Sequence, residues 1–199
     1  MHKVKCGMAI SIDGFTAGVD PSFERPFGDM PQNYLTKWMF DEPEEHMKEM
    51  EALVNAGAYI MGHKMFAPPE KKNDLNWKGW WGNEPPYHGP VFVLTHTERE
   101  TITMEGGTSF HFITDGIETA MSLAKEAAGD KDVSIAGGAE TVNQFLTAGL
   151  IDELWLHVVL VTVGSGARLF LNVPRLAMKI VQVRGTDLVT HIKYEISKK

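Results

Sequence analysis

A single cysteine, Cys6, in 199 residues excludes a disulfide framework and a thiolate-rich metal site. Its place in the first apolar run marks it as a core residue of a protein kept in a reducing, cytoplasmic compartment. Long hydrophobic runs are missing: none reaches membrane-spanning length, and Met1-His2-Lys3-Val4-Lys5 is too polar to open a secretory signal. A basic excess is missing too. Lysine and arginine number 19 against 26 acids, a formal charge of −7 with both signs interspersed, which disfavours nucleic acid and anionic membranes as partners. The glycine patterns of a Rossmann dinucleotide site, a P-loop and a serine-nucleophile elbow are absent. The histidines are scattered and no Cys-x-x-Cys occurs, so no metal is expected, and zinc hydrolysis or deamination is not indicated.

What the chain does have is glycine where apolar runs end. Val133-Ser134-Ile135-Ala136 breaks on Gly137-Gly138, and a helical pattern follows with Val142, Phe145 and Leu146 on one face and Gly149 as the stop. A strand that passes through Gly-Gly into a helix turns backbone N–H groups toward an anion with no Cβ in the way, and the helix dipole favours a phosphate there. Tight turning alone is the plainer reading of the same residues. Ala58-Tyr59-Ile60-Met61 likewise ends on Gly62-His63-Lys64, and Val91-Phe92-Val93-Leu94 ends on Thr95-His96-Thr97 with Arg99 close behind. In a parallel sheet such ends share one edge, where ligands of open α/β sheets bind.

The remaining pattern gives the architecture. Val4 to Ile12 and Glu153 to Val163 read as strands, and Phe110 to Ile113 as another. Glu44 to Ala56 reads as a helix behind Pro43, and Asp115 is spaced to cap a second helix that closes on Gly129. Met178 to Arg184 and Val189 to Ser197 alternate around Gly185-Thr186-Asp187 as a hairpin. Crossover helices first and a hairpin last predict a single α/β domain over residues 1–199, with a mixed, mostly parallel sheet of about eight strands between helices and a C-terminal antiparallel hairpin. Two long segments, 19–41 and 67–90, carry aromatics among prolines and glycines. Trp38, Trp80 and Trp81 are candidate walls of a substrate pocket, with core or subunit packing as the alternative.

Five motifs in order, Ser11-Ile12-Asp13-Gly14, Met61-Gly62-His63-Lys64, Val93-Leu94-Thr95, Ala136-Gly137-Gly138-Ala139 and Asp152-Glu153-Leu154-Trp155-Leu156, resemble the dihydrofolate reductase-like superfamily. Gly164-Ser165-Gly166-Ala167-Arg168-Leu169-Phe170 is similar to the closing signature of its branch with the bacterial riboflavin-biosynthesis reductase, the RibD C-terminal type. The resemblance implies a three-layer α/β/α fold, NADPH as cofactor, hydride transfer to a small heterocycle, and a homodimer. It implies that Ala9 and Thr16 flank the nicotinamide, and that Gly62, His63 and Lys64 approach the adenosine phosphates. Thr95 and His96 would then meet the 2′-phosphate, while Gly137, Gly138, Ala139, Glu140 and Thr141 cradle the pyrophosphate. Dihydrofolate reductases carry a carboxylate on the first helix, which falls near His46 by count, with Glu45 beside it; either is a candidate acid. Asp13 is the third candidate, as a proton helper or as an orienter of its loop, with Asp-Gly turn chemistry as the plainer account. The resemblance makes 5-amino-6-(5-phosphoribosylamino)uracil reductase the nearest named activity. The riboflavin branch usually has Glu where this chain has Ala136, which weakens the case for that substrate. A pterin or xenobiotic reductase on the same fold, or a non-catalytic nucleotide-binding protein, are the alternatives.

Overall fold

The computed structural model describes residues 3–31 and 33–197; residues 1, 2, 32, 198 and 199 of the expected domain lie outside it. Strand β1 (Val4–Ser11) alternates buried Val4, Cys6, Met8 and Ile10 with residues that face the other side of the sheet. The chain continues through β2 (Phe15–Ala17), α1 (Lys37–Asp41), α2 (Met47–Val54), β3 (Ala58–Gly62), α3 (His63–Phe66) and β4 (Pro90–Leu94). Then come β5 (Ile102–Thr103), β6 (Ser109–Ile113), α4 (Gly116–Ala128), β7 (Val133–Gly137) and α5 (Ala139–Thr147). The last third holds β8 (Glu153–Val159), β9 (Ala167–Arg168), β10 (Met178–Gly185) and β11 (Val189–Ile196).

Among the described residues nine strands form one sheet in the order β10-β11-β8-β1-β7-β3-β4-β6-β5. The six inner strands pair in parallel, and antiparallel pairs join β5 to β6, β11 to β8 and β10 to β11. Helices α4 and α5 cover one face, where Met121, Ala124, Val142 and Phe145 pack on Cys6, Ile60 and Ile135. The opposite face takes α2, α1 and the 67–90 segment: Tyr59 and Met61 meet Phe66, Tyr87 and Trp81, while Trp38 and Leu35 meet Val159 and Val189. No helix of the described residues is long and apolar enough to cross a membrane.

The mixed, mostly parallel three-layer architecture agrees with the sequence pattern, and the differences have local causes. The helix expected over 44–56 is α2, shortened at its start because Glu45 and His46 donate to Glu42 and Pro43 in turns that precede it. Asp115 stands at the head of α4 without a side-chain capping bond. Strand β8 ends at Val159, not Val163, because the Asp13 carboxylate takes the N–H groups of Val163 and Gly164. The two-residue β5 and the small β2–β9 pair are too short to show a period. Helix α1 lies within a segment that reads as loop, and its Trp38 is buried.

Asn143 of α5 ties the β9 loop to this frame. Its amide donates to the Arg168 carbonyl at 3.0 Å and accepts the Phe170 N–H at 2.8 Å. Asn143→Ala is expected to lower stability by about 1–3 kcal/mol, because two backbone groups lose their partner at a nearly closed site. Urea unfolding with native-state amide exchange at Phe170 measures this, and an unchanged midpoint would refute the clamp.

Candidate active site

Parallel register gathers the strand ends that the sequence singles out. Met61 pairs with Gly137 and Gly62 with Leu94, so Gly62, His63 and Lys64, Thr95 and His96, and Gly137 to Thr141 lie along one edge of the sheet. Gly62 is required there: a Cβ would come within 2.3 Å of Thr141 Oγ1, so a side chain would push α5 away. Gly137 holds φ +130°, which favours glycine. Gly138 heads α5 with no side-chain cap, leaving the N–H groups of Ala139, Glu140 and Thr141 to face the edge, and a Cβ on Gly138 would meet nothing within 4 Å. An open, uncapped helix start with a local positive end fits a phosphate group. Lys64 Nζ spans the edge to Glu140 Oε2 at 2.7 Å, both side chains well exposed. The His63 imidazole sits below its ordinary pKa because of its burial and the nearby Lys72 and Arg99 charges. Arg99 is committed elsewhere, donating to the Leu75 and Trp77 carbonyls and lying over Phe112. Thr95 Oγ1 accepts the Thr97 N–H, and His96 is exposed beside it.

A second hub is Asp13. Its carboxylate accepts the Ser11 hydroxyl at 2.5 Å, the Val163 N–H at 3.1 Å and the Gly164 N–H at 2.7 Å. Ser11 first, then these backbone donors, hold its pKa down to about 2. A carboxylate so placed ties the 11–15 turn to the 160–166 turn, and it does not carry a proton near neutrality. Thr16 extends the tie by donating to the Ala167 carbonyl at 3.2 Å.

The histidines that look scattered in sequence meet in space. His157 of β8 and His191 of β11 are direct cross-strand partners, and His46 heads α2 above them. His46 Nδ1 lies 2.9 Å from His191 Nε2, and His191 Nδ1 lies 2.7 Å from His157 Nδ1. All three are buried, and the Trp38 ring packs on each at centroid distances of 4.9–5.3 Å. Trp38 thus covers the imidazoles and lines no open wall. Trp81 packs against Tyr87 and Phe110 in a different cluster, and Trp80 stacks on Phe23 at 5.9 Å, so the three tryptophans do not converge. Arg184 of β10 donates to both oxygens of Glu49 at 3.0 and 2.9 Å, and reaches His46 Nδ1 at 3.0 Å and the Glu45 carbonyl at 3.2 Å.

Glu49 is the residue that counting along the chain misses. It is the buried carboxylate of α2, one turn beyond His46. Burial opposes its ionisation, yet the bonds from Arg184 more than offset this and lower its pKa. The available signal was the spacing His46, Glu49, Met50, Leu53, which sets an acid on the inward face of an amphipathic helix. His46, Glu49 and His191 are also a metal-ligand set in kind, with ligand atoms within 4.8 Å of one another. The Arg184 guanidinium already contacts two of the three, Glu49 and His46. Between α2 and strands β1, β8 and β11 lies a cavity of about 130 Å³, with Gly7, Glu49, Leu53, Trp155 and His157 in its lining. It is separate from the strand-end edge, though β1 joins the two: Gly7 lines the cavity, and Ala9 pairs with His157 one step along.

A family model of the RibD C-terminal domain matches residues 2–191. The chain belongs to the RibD C-terminal domain family. An uncharacterized protein of Bacillus subtilis, YyaP, is 25% identical over 194 residues, covering 92% of this chain and 88% of that one. Among solved structures, a putative riboflavin biosynthesis protein from Shewanella superposes with a TM-score of 0.62 at 21% identity, covering 98% of this chain and 99% of that one. A pyrimidine reductase-like protein from Corynebacterium diphtheriae gives a TM-score of 0.62 at 12% identity, covering 100% and 93%. These likenesses give the RibD domain its dihydrofolate reductase-like fold.

Stability of this RibD C-terminal domain should report the buried imidazoles. Burial first, then neighbouring positive charge, lowers His157 to about 3, and burial lowers His191 to about 4, both from an ordinary 6.5. The unfolded chain therefore binds more protons than the folded one between pH 6.5 and about 4, and stability is lost as pH falls through that window. Glu49, lowered from 4.5, adds its loss only below that value. The thermal midpoint is expected to fall between about pH 7 and about pH 5, with the slope reduced in the His157→Gln/His191→Gln double variant. A wild-type midpoint that does not change over this range would show that the histidines are not held neutral.

Proposed function

We propose that this RibD C-terminal domain is an NADPH-dependent reductase that transfers hydride to a small heterocycle. The observation that carries the reading is the uncapped start of α5 behind Gly137-Gly138, set on one edge with Gly62, His63 and Lys64. Backbone N–H groups of Ala139 to Thr141 would bind the pyrophosphate, and Lys64 would leave Glu140 to pair with phosphate oxygen. Thr95 and His96, at the end of the neighbouring strand, would take the 2′-phosphate. Bound there, the cofactor supplies the hydride for a C=N or C=O carbon. Asp13 and Thr16 would hold the turn beside Ala9, where the nicotinamide ring belongs under this reading. The substrate would lie against the α2 side of β1, where Glu49, held ionised by Arg184, and His157 line the cavity together with the charged Lys5, Asp132, Glu153 and Lys193.

The nearest named activity is that of 5-amino-6-(5-phosphoribosylamino)uracil reductase, part of the printed name of a related Thermotoga maritima structure. Ala136 favours a second reading on the same fold, a reductase of a pterin or a xenobiotic, because the carboxylate usual at that position in the riboflavin branch is replaced by a methyl group.

Gly138→Val separates binding from folding. The position has φ −75° and open space around its Cβ, so the variant is expected to keep its thermal midpoint. A branched side chain there would project into the phosphate cradle, and NADPH affinity by calorimetry is expected to fall at least about 100-fold. Wild type should bind NADPH more tightly than NADH. Binding of neither nucleotide would reject the reductase reading.

The proposal includes a homodimer, for which the edge strand β10 offers exposed Ile180, Val181 and Val183. Light scattering should give twice the chain mass of 22.2 kDa; the chain mass itself would remove the dimer.

A further inference from the structure

Asp41, Glu42, Glu44 and Glu45 crowd the turn that leads from α1 into α2. Acids ahead of a helix complement its dipole and by themselves mark no site. The ring that follows them is different. His46 is fully buried, and its Nε2 has no hydrogen-bond partner among the described residues. An imidazole nitrogen offers either a hydrogen or a lone pair, and burying it unmatched is costly. Glu42 Oε2 faces Nε2 at 3.7 Å, beyond hydrogen-bond reach. Glu45 completes the group: one ligand atom from each of Glu42, Glu45 and His46 lies within 4.8 Å of the others. Local winding brings them together. The Glu45 N–H donates to the Glu42 carbonyl and the His46 N–H to that of Pro43, so residues three and four apart share one side of the turn.

We propose that Glu42, Glu45 and His46 bind one divalent transition-metal ion of the zinc class, through His46 Nε2 and the two carboxylates. The donors select the ion: an imidazole with carboxylates suits zinc, cobalt or nickel, whereas magnesium and calcium call for oxygen ligands alone. Tetrahedral zinc with bonds of about 2.1 Å holds its ligand atoms about 3.4 Å apart. The 3.7 Å between Nε2 and Glu42 Oε2 is within about 0.3 Å of that separation. Access is from solvent. The Glu42 and Glu45 side chains are 41% and 51% exposed, so an ion reaches Nε2 by displacing a surface carboxylate and does not cross the core. Arg184 Nη1 stands 3.6 Å from Glu45, but the short bonds of that guanidinium go to Glu49 on the inner side. Behind the ring, His46 Nδ1 lies 2.9 Å from His191 Nε2, and a metal on Nε2 would leave Nδ1–H to donate there, the outer support that a ligating histidine takes. The ion would fasten the α1–α2 turn and, through the His46 ring against Trp38 at 5.3 Å, hold α1 over the imidazole row. The proposal does not rest on the reductase reading, and it gives Glu45 and His46 a role other than proton donor.

The test uses the full chain, stripped with EDTA and dialysed, with zinc chloride and magnesium chloride as probes. Zinc is expected to bind one per chain by calorimetry. With 15N-labelled histidine, the shift that marks coordination should fall on His46 Nε2 and on no other ring nitrogen. Glu42→Gln changes an exposed carboxylate and keeps the fold. It should weaken zinc at least about ten-fold, because even outer-shell changes cost that much, and it should abolish the rise in thermal midpoint that zinc gives wild type. Glu44→Gln, an acid of the same turn outside the set, should leave both unchanged. Zinc binding that survives Glu42→Gln, an equal loss in Glu44→Gln, or displacement by excess magnesium would reduce the site to general attraction by an acidic turn and overturn the proposal. Coordination at another ring nitrogen, or no zinc binding, would overturn it as well.

Discussion

Seven residues of β1 lie in parallel register against β8, from Lys5 opposite Glu153 to Ser11 opposite Val159, and the chemistry on both sides of the sheet is set by that match. It places Ala9 beside His157 and carries Asp13 to the 160–166 turn. Through the antiparallel pairing of β11 with β8, it also brings His191 into the same row. A slip of one residue would turn His157 toward the α4–α5 layer, where Cys6, Ile135 and Leu156 leave no polar partner. The register is held by more than backbone bonds. Lys3 and Lys193 both pair with buried Glu153 at the start of β8, and Asp152 accepts the Val4 N–H at 2.8 Å. These contacts fix the strand at the end remote from the strand-end edge, where Glu153 and Lys193 also line the cavity under α2, and leave the far end free for turns.

The polar groups on the α2 side form one connected set. Arg184 reaches from the sheet edge to Glu49, His46 and the Glu45 backbone, so a charge from β10 stabilises a buried carboxylate on α2. Removing either partner alone would leave a buried charge or lone pair unmatched, which costs more than losing the pair together. Trp38 closes the arrangement by packing on the three imidazoles from α1. The short helix therefore has a use that its own five residues do not suggest: it keeps water from the imidazole chain.

Period and punctuation exposed the frame. Alternation in Val4–Ser11, the helical faces of α4 and α5, and the glycines at positions 62, 137 and 138 are local signals, and each lies where the fold uses it. Elements held by distant partners left no such trace. The β2–β9 pair joins residues about 150 positions apart, and neither strand is long enough to alternate. The same holds for the site. The strand-end glycines were legible because Gly62 leaves little room for a Cβ and Gly137 holds a positive φ. His46, His157 and His191 sit on three elements, and only tertiary pairing makes them neighbours. Asp13 was visible as turn chemistry, but its three donors come from Ser11 and from residues 150 positions away.

The Lys64–Glu140 bridge has one more consequence. Both groups are well exposed, at 87% and 71% of the side chain, so the bond contributes little to folding and opens easily. Closed, it leaves the mouth of the phosphate edge nearly neutral, so a small monovalent anion gains little by replacing a carboxylate already in place. A diphosphate brings more charge, and it also meets the free N–H groups of α5 that Glu140 leaves unused. Under the proposed function the pair would stay closed against a small monovalent anion and open for the diphosphate of a nucleotide.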